Sequence, residues 1–311
     1  MMLRNIRRAA RNNEFTWRYI YNLAPSLSYQ FSRPSLSEEG RRVVAALNRD
    51  GVAVTSVHKL LGVNSAYEQL SSEVERLERD LADRLSDARA AATGDVAVGK
   101  KSFIYMLLGD CPSLDPESIY AGFALQEPIL RIANAYFGMY TRLRYYNVWH
   151  TFPTRGEARE SQLWHRDRED QLILKMFLYL SDIDEGAGPF TYAPGSHRKG
   201  RRRCNPDYFV EGVVKRSNDE QMARVVPAKE WIKCTGPKGT IVFADTAGYH
   251  KGGEARDRDR IMYTCMFTSP ASESQELLKR GGRISAPQSR EMAVALAAQR
   301  RGAWLRLSAG S

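Results

Sequence analysis

The sequence predicts a mainly β protein with flanking helices, arranged as a sandwich or jelly roll. Its second half contains short runs rich in β-branched and aromatic residues, separated by Gly, Pro, Asp and Asn, at 140–152, 172–181, 189–193, 239–244 and 260–268. Strands of this length and spacing are typical of antiparallel sandwiches and jelly rolls. With 311 residues, 43% of them hydrophobic, the chain is long enough for one large domain with a buried core.

The segments before these strands are predicted to be mostly helical. Residues 1–34 form a basic helical extension with a linker that contains Pro25 and Pro34. Ser35, followed three residues later by Glu38, has the pattern of a capping box and begins the next helix. That helix leads into a short strand at 52–57. The spacing of apolar residues predicts one helix over 66–92 and another over 116–137, ending at Gly138.

The remaining connections divide the chain into a core and two extensions. We expect the core domain at 35–270, with its β core at about 140–269, and a C-terminal helical extension at 271–311. Between the third and fourth strand segments lies a long polar stretch, 196–237. A connection of this length inside a compact domain is usually a lid or a substrate-binding loop.

Charge and cysteine content limit the compartment and the partners. The chain has a net charge of +10 and only four cysteines, which are widely separated and form no CxxC pair. A disulfide framework or thiolate zinc site is therefore not expected, and we expect a reducing, cytoplasmic location. No apolar run is long enough for a membrane span. The basic excess is compatible with an anionic partner.

The most informative residues for chemistry are His165, Asp167 and His250. His165 and Asp167 are two positions apart, so in an extended chain both side chains point to the same face. His250 lies between the strand segments 239–244 and 260–268. Two histidines and one carboxylate on one face of a β-barrel form the facial triad of non-haem iron oxygenases. Arg260, ten residues after His250, could hold the far carboxylate of a 2-oxo acid.

The sequence resembles the phytanoyl-CoA dioxygenase family of Fe(II)- and 2-oxoglutarate-dependent oxygenases. The resemblance covers roughly residues 35–269, and its most specific motifs are Trp164-His-Arg-Asp167, Phe177-Leu-Tyr-Leu-Ser-Asp-Ile-Asp184, Gly188-Pro-Phe-Thr-Tyr-Ala-Pro-Gly-Ser-His197, Gly239-Thr-Ile-Val-Phe-Ala-Asp245 and the segment from His250 to Arg260. It implies a double-stranded β-helix (jelly roll, cupin-like) core. It also implies that His165, Asp167 and His250 bind Fe(II), that Arg260 binds the 2-oxoglutarate carboxylate, and that Phe177 lines the co-substrate pocket.

Two further positions refine this interpretation. Side chains alternate along a strand, so Lys175, Phe177 and Tyr179 lie on the same face. Lys175 is therefore either a residue at the barrel mouth or a second co-substrate contact. A hydroxyl residue is often found two positions after the distal histidine in this family, and here that position is Gly252. The assisting contact to the co-substrate must therefore come from elsewhere.

The predicted function is oxidation of a small organic substrate with O2, Fe(II) and 2-oxoglutarate, releasing succinate and CO2. Halogenating relatives are implied to lack the carboxylate ligand, so the presence of Asp167 favours hydroxylation or desaturation. The basic run Arg198-Lys-Gly-Arg-Arg-Arg203 suggests an anionic or carrier-linked substrate. Two alternatives remain open: a zinc-dependent enzyme that is not an oxygenase, or a basic binding module without catalysis. No nucleic-acid-binding motif accompanies the basic run.

Overall fold

The computed structural model describes residues 13–93, 102–211, 214–280 and 287–298. Helices dominate the first part of the chain, with a π-helix at Trp17–Tyr21 between the first two. The α-helices are α1 (Glu14–Thr16), α2 (Leu23–Ser32), α3 (Glu38–Asp50), α4 (Val57–Leu61), α5 (Ser65–Asp80), α6 (Ala82–Thr93), α7 (Ile119–Ala124), α8 (Glu127–Phe137), α9 (Asp219–Ala223) and α10 (Arg290–Ala295). No helix within the described ranges is both long enough and apolar enough to span a membrane.

Six antiparallel strands form the larger sheet, in the order β1-β9-β4-β11-β3-β2. They are β1 (Val52–Ser56), β2 (Ile104–Met106), β3 (Arg142–Thr151), β4 (Leu174–Tyr179), β9 (Thr240–Asp245) and β11 (Arg260–Thr268). The register between β4 and β11 opposes Phe177 to Thr264. Phe177 and Tyr179 of β4 lie in the core between the two sheets, and Lys175 is on the same face of the strand by alternation.

A smaller sheet faces the larger one. Its order is β10-β5-β8, with β5 (Phe190–Tyr192), β8 (Ile232–Cys234) and β10 (His250–Lys251). A separate hairpin pairs β6 (Phe209–Glu211) with β7 (Val214–Arg216). The two facing antiparallel sheets, with short strands and long connections, form the jelly roll that the sequence predicted.

The two largest apolar cores among the described residues hold these layers together. The helices pack on the outer face of the larger sheet, where Leu47, Leu130 and Phe137 meet Met176, Leu178 and Phe243. The second core lies between the sheets and contains Phe177, Tyr179, Phe190, Tyr192, Val242 and Met262. The helices thus cover the outer face of the larger sheet, and its inner face is turned toward the smaller sheet.

Several predicted boundaries of the helices were wrong. The side chain of Ser37, not Ser35, caps α3 by accepting a hydrogen bond from the Gly40 N–H. The predicted helix 66–92 is broken at Leu81 into α5 and α6, and the predicted helix 116–137 is broken after Ala124 into α7 and α8. Pro25 lies in the first turn of α2 rather than in a linker, a position where its missing N–H costs no helical hydrogen bond.

The long connection and the C-terminal extension also differ from expectation. Residues 196–237 are not a plain loop, because they contain β6, β7, α9 and β8. Met222 and Val226 from this stretch pack on Trp164 and form a further layer outside the smaller sheet. In the described part of 271–311, the helical segment is α10. The remainder of that extension and residues 1–12 of the N-terminal extension lie outside the described residues.

Candidate metal centre

His165 and His250 lie directly opposite each other on neighbouring extended segments. The His165 N–H donates to the His250 carbonyl at 3.0 Å, and the His250 N–H donates to the His165 carbonyl at 3.1 Å. Residues paired in this way project their side chains to the same side of a sheet. The two imidazole centroids are accordingly 4.3 Å apart. Backbone pairing therefore brings together two residues that are 85 positions apart in the chain.

Asp167 completes a cluster of three potential metal ligands. Its N–H donates to the Thr246 carbonyl at 2.9 Å, which anchors the strand segment beside the turn that precedes His250. The His165 Nε2 lies 4.0 Å from Asp167 Oδ1, and the His250 Nε2 lies 3.9 Å from Asp167 Oδ2. One ligand atom from each of the three residues lies within 4.8 Å of the other two. Ligand atoms at this spacing can surround a single ion.

The hydrogen bonds of the imidazoles leave the correct nitrogens for a metal. The Nδ1 atom of His165 is 2.8 Å from the Leu163 carbonyl, and the Nδ1 atom of His250 is 3.0 Å from the Gly248 carbonyl. A carbonyl can only accept, so each Nδ1 carries the proton and each Nε2 has a free lone pair. Such second contacts orient histidine ligands in metal sites.

The protonation states also fit a metal. Burial lowers the pKa of His165, and burial lowers the pKa of His250 to about 4, so both rings are neutral near neutral pH. Burial opposes ionisation of Asp167, but the adjacent Lys175 ammonium outweighs it and holds the pKa of this carboxyl below its usual range. Neutral imidazoles and an ionised carboxylate are the forms that bind a metal ion.

Lys175 lies against the carboxylate of the triad. Its Nζ is 2.6 Å from Asp167 Oδ2, and both side chains are largely buried. The sequence left Lys175 open between a barrel-mouth residue and a co-substrate contact. The structure places it beside Asp167, where its charge compensates the buried carboxylate.

Hydrogen bonds of Asp245 hold the turn that precedes His250. The Asp245 side chain accepts hydrogen bonds from the Ile173 N–H, the Ala247 N–H and the Tyr136 hydroxyl, which is 2.6 Å away. The Tyr192 hydroxyl donates to the Asp245 carbonyl. A Cβ at Gly248 would lie 1.9 Å from that hydroxyl oxygen, so only glycine allows this approach. The sequence motif contained Asp245, but its contacts become visible only in the fold.

Phe177 belongs to an aromatic wall beside the triad. Its ring centroid is 4.8 Å from that of Phe190, and Phe190 stacks on His250 at 5.5 Å. Trp149 closes the wall on the other side of Phe177 at 6.4 Å. Phe190 and Trp149 were not singled out in the sequence, although the alternation of Phe190 with Tyr192 indicates an inward side chain.

Arg260 and Arg258 occupy different environments. Arg260 is 3% exposed, begins β11 on the same face as Met262, and its Nε is buried without a hydrogen-bond partner among the described residues. Burial lowers the pKa of Arg260 to about 10. Arg258 is exposed and pairs with Asp184 at 3.2 Å. The guanidinium that faces the interior of the barrel is therefore that of Arg260.

A cleft of about 1420 Å³ opens beside Asp167. Asp167 lines it, together with residues of the adjoining segment 168–171 and of segment 271–274. The other wall is basic and includes Arg166, Arg198 and Arg203. His197, the last residue of the motif that begins at Gly188, also borders the cleft, where it is 1% exposed. Of the three candidate ligands, Asp167 borders this cleft, which is large enough for a small organic molecule.

Comparison with known proteins agrees with this geometry. Residues 121–261 match the sequence model of the phytanoyl-CoA dioxygenase (PhyH) family. No curated protein matches the sequence significantly. The structure of EctD from S. alaskensis with bound Fe is 16% identical, covers 83% of this chain and 85% of that chain, and has a TM-score of 0.51.

Two further solved structures are similar. EctD with 2-oxoglutarate and 5-hydroxyectoine is 17% identical over 77% of this chain and 87% of that chain, with a TM-score of 0.50. The epimerase SnoN in complex with Fe3+, alpha ketoglutarate and nogalamycin RO is 16% identical over 80% of this chain and 96% of that chain, with a TM-score of 0.48. At such identities the EctD structures establish a shared fold. The family match confirms the resemblance inferred from the sequence motifs.

Proposed function

We propose that this 2-oxoglutarate-dependent non-haem iron oxygenase binds Fe(II) through the Nε2 atoms of His165 and His250 and a carboxylate oxygen of Asp167. The single observation that carries the proposal is the convergence of these three ligand atoms within 4.8 Å of one another. Nitrogen and carboxylate ligands in this two-to-one ratio suit Fe(II) and leave positions for other molecules. The family match over 121–261 supports the iron oxygenase class.

The proposed 2-oxoglutarate site lies between Arg260 and the triad. Arg260 would hold the distal carboxylate, since its buried guanidinium has an unused Nε–H and no carboxylate partner among the described residues. Phe177 would line the apolar side of the co-substrate. We assign Lys175 to Asp167 rather than to the co-substrate, because its ammonium already lies 2.6 Å from the Asp167 carboxylate.

The bound iron and 2-oxoglutarate would supply activation of O2, with conversion of 2-oxoglutarate to succinate and CO2 coupled to oxidation of a substrate C–H bond. The chain's own residues orient the reactants. The carbonyls of Leu163 and Gly248 fix the two imidazoles, and the aromatic wall excludes water from one side. Asp167 fills the position that halogenating relatives are implied to leave open, so hydroxylation or desaturation is the proposed outcome.

We further propose that the substrate is small and anionic and that residues 35–270 form the oxygenase domain. The basic wall of the cleft supports an anionic substrate. The core helices α3–α8 and both sheets fall within this range. The N-terminal and C-terminal segments would then be extensions that pack on the domain.

The test compares metals with purified protein. Apoprotein loaded with Fe(II) is expected to convert 2-oxoglutarate to succinate in the presence of O2, slowly without substrate and faster with it. The same protein loaded with Zn(II) should form none. Equal metal binding without succinate formation under any substrate condition would favour the alternative, a zinc-dependent enzyme on the same ligands.

A further inference from the structure

Three arginines from two separate segments converge on one wall of the cleft. Arg166 lies between the proposed ligands His165 and Asp167, whereas Arg198 and Arg203 come from the start of the connection between β5 and β6. The Arg166 guanidinium donates to the Ser196 carbonyl, and the Arg203 guanidinium donates at 3.5 Å to the carbonyl of the next residue, His197, which directly precedes Arg198. The three positive charges are therefore close neighbours.

Arg166 is held in a fixed position. Its guanidinium stacks on the Tyr249 ring at 3.9 Å and donates to the Ser196 carbonyl at 2.9 Å. Its Nε is buried and has no hydrogen-bond partner among the residues that the structure describes. Side chains alternate along an extended segment, so Arg166 projects away from the face that His165 and Asp167 share. The guanidinium therefore lies at the rim of the site and not between the metal ligands.

The rest of the basic run is used differently. Arg202 pairs with Glu230, and the Lys199 ammonium donates to the Tyr136 carbonyl and to the Asn48 side chain. Arg201 does not line the cleft. Within the described ranges no carboxylate forms an ion pair with Arg166, Arg198 or Arg203. From the sequence we predicted that the whole run 198–203 attracts an anion. In the structure only part of this run lines the cleft, together with Arg166.

We propose that Arg166, Arg198 and Arg203 form a subsite for a phosphate group of the substrate. This inference rests on the proposed function, since it names the substrate class for that site. A phosphate monoester or diphosphate carries more than one negative charge and three or more acceptor oxygens, whereas a carboxylate carries one charge and two. Three neighbouring guanidiniums that form no ion pair among the described residues match the former, and arginine binds phosphate oxygens in pairs.

The location of this subsite explains how binding would serve catalysis. Arg166 and Asp167 are consecutive residues, and both line the same cleft. A molecule whose phosphate rests on the arginines can therefore extend along the cleft toward Asp167. Lys215, which lies 4.0 Å over the Tyr208 ring, borders the same cleft and extends its positive field. The phosphate would anchor the substrate, and the part near Asp167 would be oxidised.

Pyrophosphate is the probe that tests the subsite without turnover. Its binding to the Fe(II)-free full chain is measured by calorimetry for the wild type, for the double variant Arg198→Gln/Arg203→Gln, and for Arg201→Gln. Arg201 is the matched control, because it belongs to the same run but lies outside the cleft. Citrate and inorganic phosphate, measured in parallel, separate phosphate recognition from general attraction of anions.

The wild type and Arg201→Gln should bind pyrophosphate equally, with an affinity that falls as ionic strength rises. The double variant should bind at least about tenfold more weakly, since charge-assisted hydrogen bonds are lost. Equal binding by all three proteins, equal weakening by Arg201→Gln, or tighter binding of citrate than of pyrophosphate would overturn the proposal. None of these outcomes depends on oxygenase activity, so failure of the subsite and failure of the proposed function are distinguishable.

Discussion

The ammonium of Lys175 lies 2.6 Å from the Oδ2 atom of Asp167. In this position Lys175 neutralises the buried carboxylate while the protein is free of metal. The same oxygen is 3.9 Å from the Nε2 of His250 and is therefore a candidate metal ligand. A metal ion and Lys175 thus compete for the charge of one carboxylate.

We predict that Lys175→Met raises the affinity for divalent metal and lowers the stability of the metal-free protein. Removal of a neighbouring positive charge should tighten binding of Co(II), an Fe(II) analogue, by about tenfold or more. Loss of one partner from a mostly buried pair should cost the apoprotein about 3 kcal/mol of unfolding free energy. Spectroscopic titration with Co(II) and denaturant unfolding measure the two effects. Lys238→Met, which removes an exposed ion pair with Glu75, is the control. Weaker Co(II) binding by Lys175→Met would contradict the competition.

Arg260→Leu should raise the apparent KM for 2-oxoglutarate by about 30-fold or more, since truncating one partner of a buried charge pair costs about 2–5 kcal/mol. The comparison is Arg258→Leu, because Arg258 pairs with Asp184 at the surface. Succinate formation at varied 2-oxoglutarate concentration gives both constants. A defect in Arg258→Leu together with a normal KM in Arg260→Leu would show that the clamp is assigned to the wrong arginine.

Gly252→Ser should be tolerated and should lower the KM for 2-oxoglutarate by a small factor. A Cβ at Gly252 would lie 3.8 Å from the Arg260 Nη2 and 3.5 Å from the Ser161 carbonyl oxygen, so a side chain fits and its hydroxyl can reach the co-substrate region. The neighbouring variant Gly253→Ser is the control for packing. Its Cβ would meet the Pro189 carbonyl oxygen at 2.4 Å, so it should destabilise the protein. A higher KM in a stably folded Gly252→Ser variant would place the co-substrate carboxylate elsewhere.

The stability of the protein should depend on the protonation of His150. Burial lowers the pKa of His150, but hydrogen bonds to Asp259 and Glu78 outweigh it and raise the pKa to about 8. The two carboxylates lie 2.5 and 2.7 Å from the ring nitrogens. Because the folded pKa exceeds the unfolded value, this stabilisation is complete below about pH 6.5 and is lost as pH rises through about 8.

The expected size of that effect is about 2 kcal/mol of unfolding free energy. Denaturant unfolding from pH 6 to pH 9 should show the loss in the wild type and a flatter profile in His150→Gln. The affected contacts join α5 and the neighbourhood of Arg260, since Asp259 precedes Arg260 and Glu78 lies on α5. Parallel profiles for the two proteins would mean that His150 does not carry the pH dependence.

The strands and the triad were predictable because both follow local rules. Short runs rich in β-branched and aromatic residues identified β3, β4, β9 and β11 to within a few residues. The spacing of His165 and Asp167 put both on one face, and the motif around His250 supplied the third residue. What could not be predicted was which residues oppose one another across the sheets. The pairing of His165 with His250 depends on the whole jelly roll.

The misplaced boundaries have a similar cause. Ser35 and Ser37 both have a side chain that can cap a helix, and Ser37 is the residue that does so in the fold. The layer outside the smaller sheet was missed because its apolar residues, such as Met222 and Val226, are sparse in a polar stretch and find their partner, Trp164, far away in the sequence. The direction of Arg166 could have been predicted from alternation, but the arginines that join it could not.

We propose that His165, Asp167 and His250 bind the iron that is required for oxidation of 2-oxoglutarate. The most direct test is succinate formation by Fe(II)-loaded protein under O2, compared between the wild type, Asp167→Ala and the exposed control Asp83→Ala. The expected result is equal turnover for the wild type and Asp83→Ala, and loss of turnover in Asp167→Ala, with folding verified by circular dichroism. Succinate formation by Asp167→Ala at a rate near that of the wild type would contradict it.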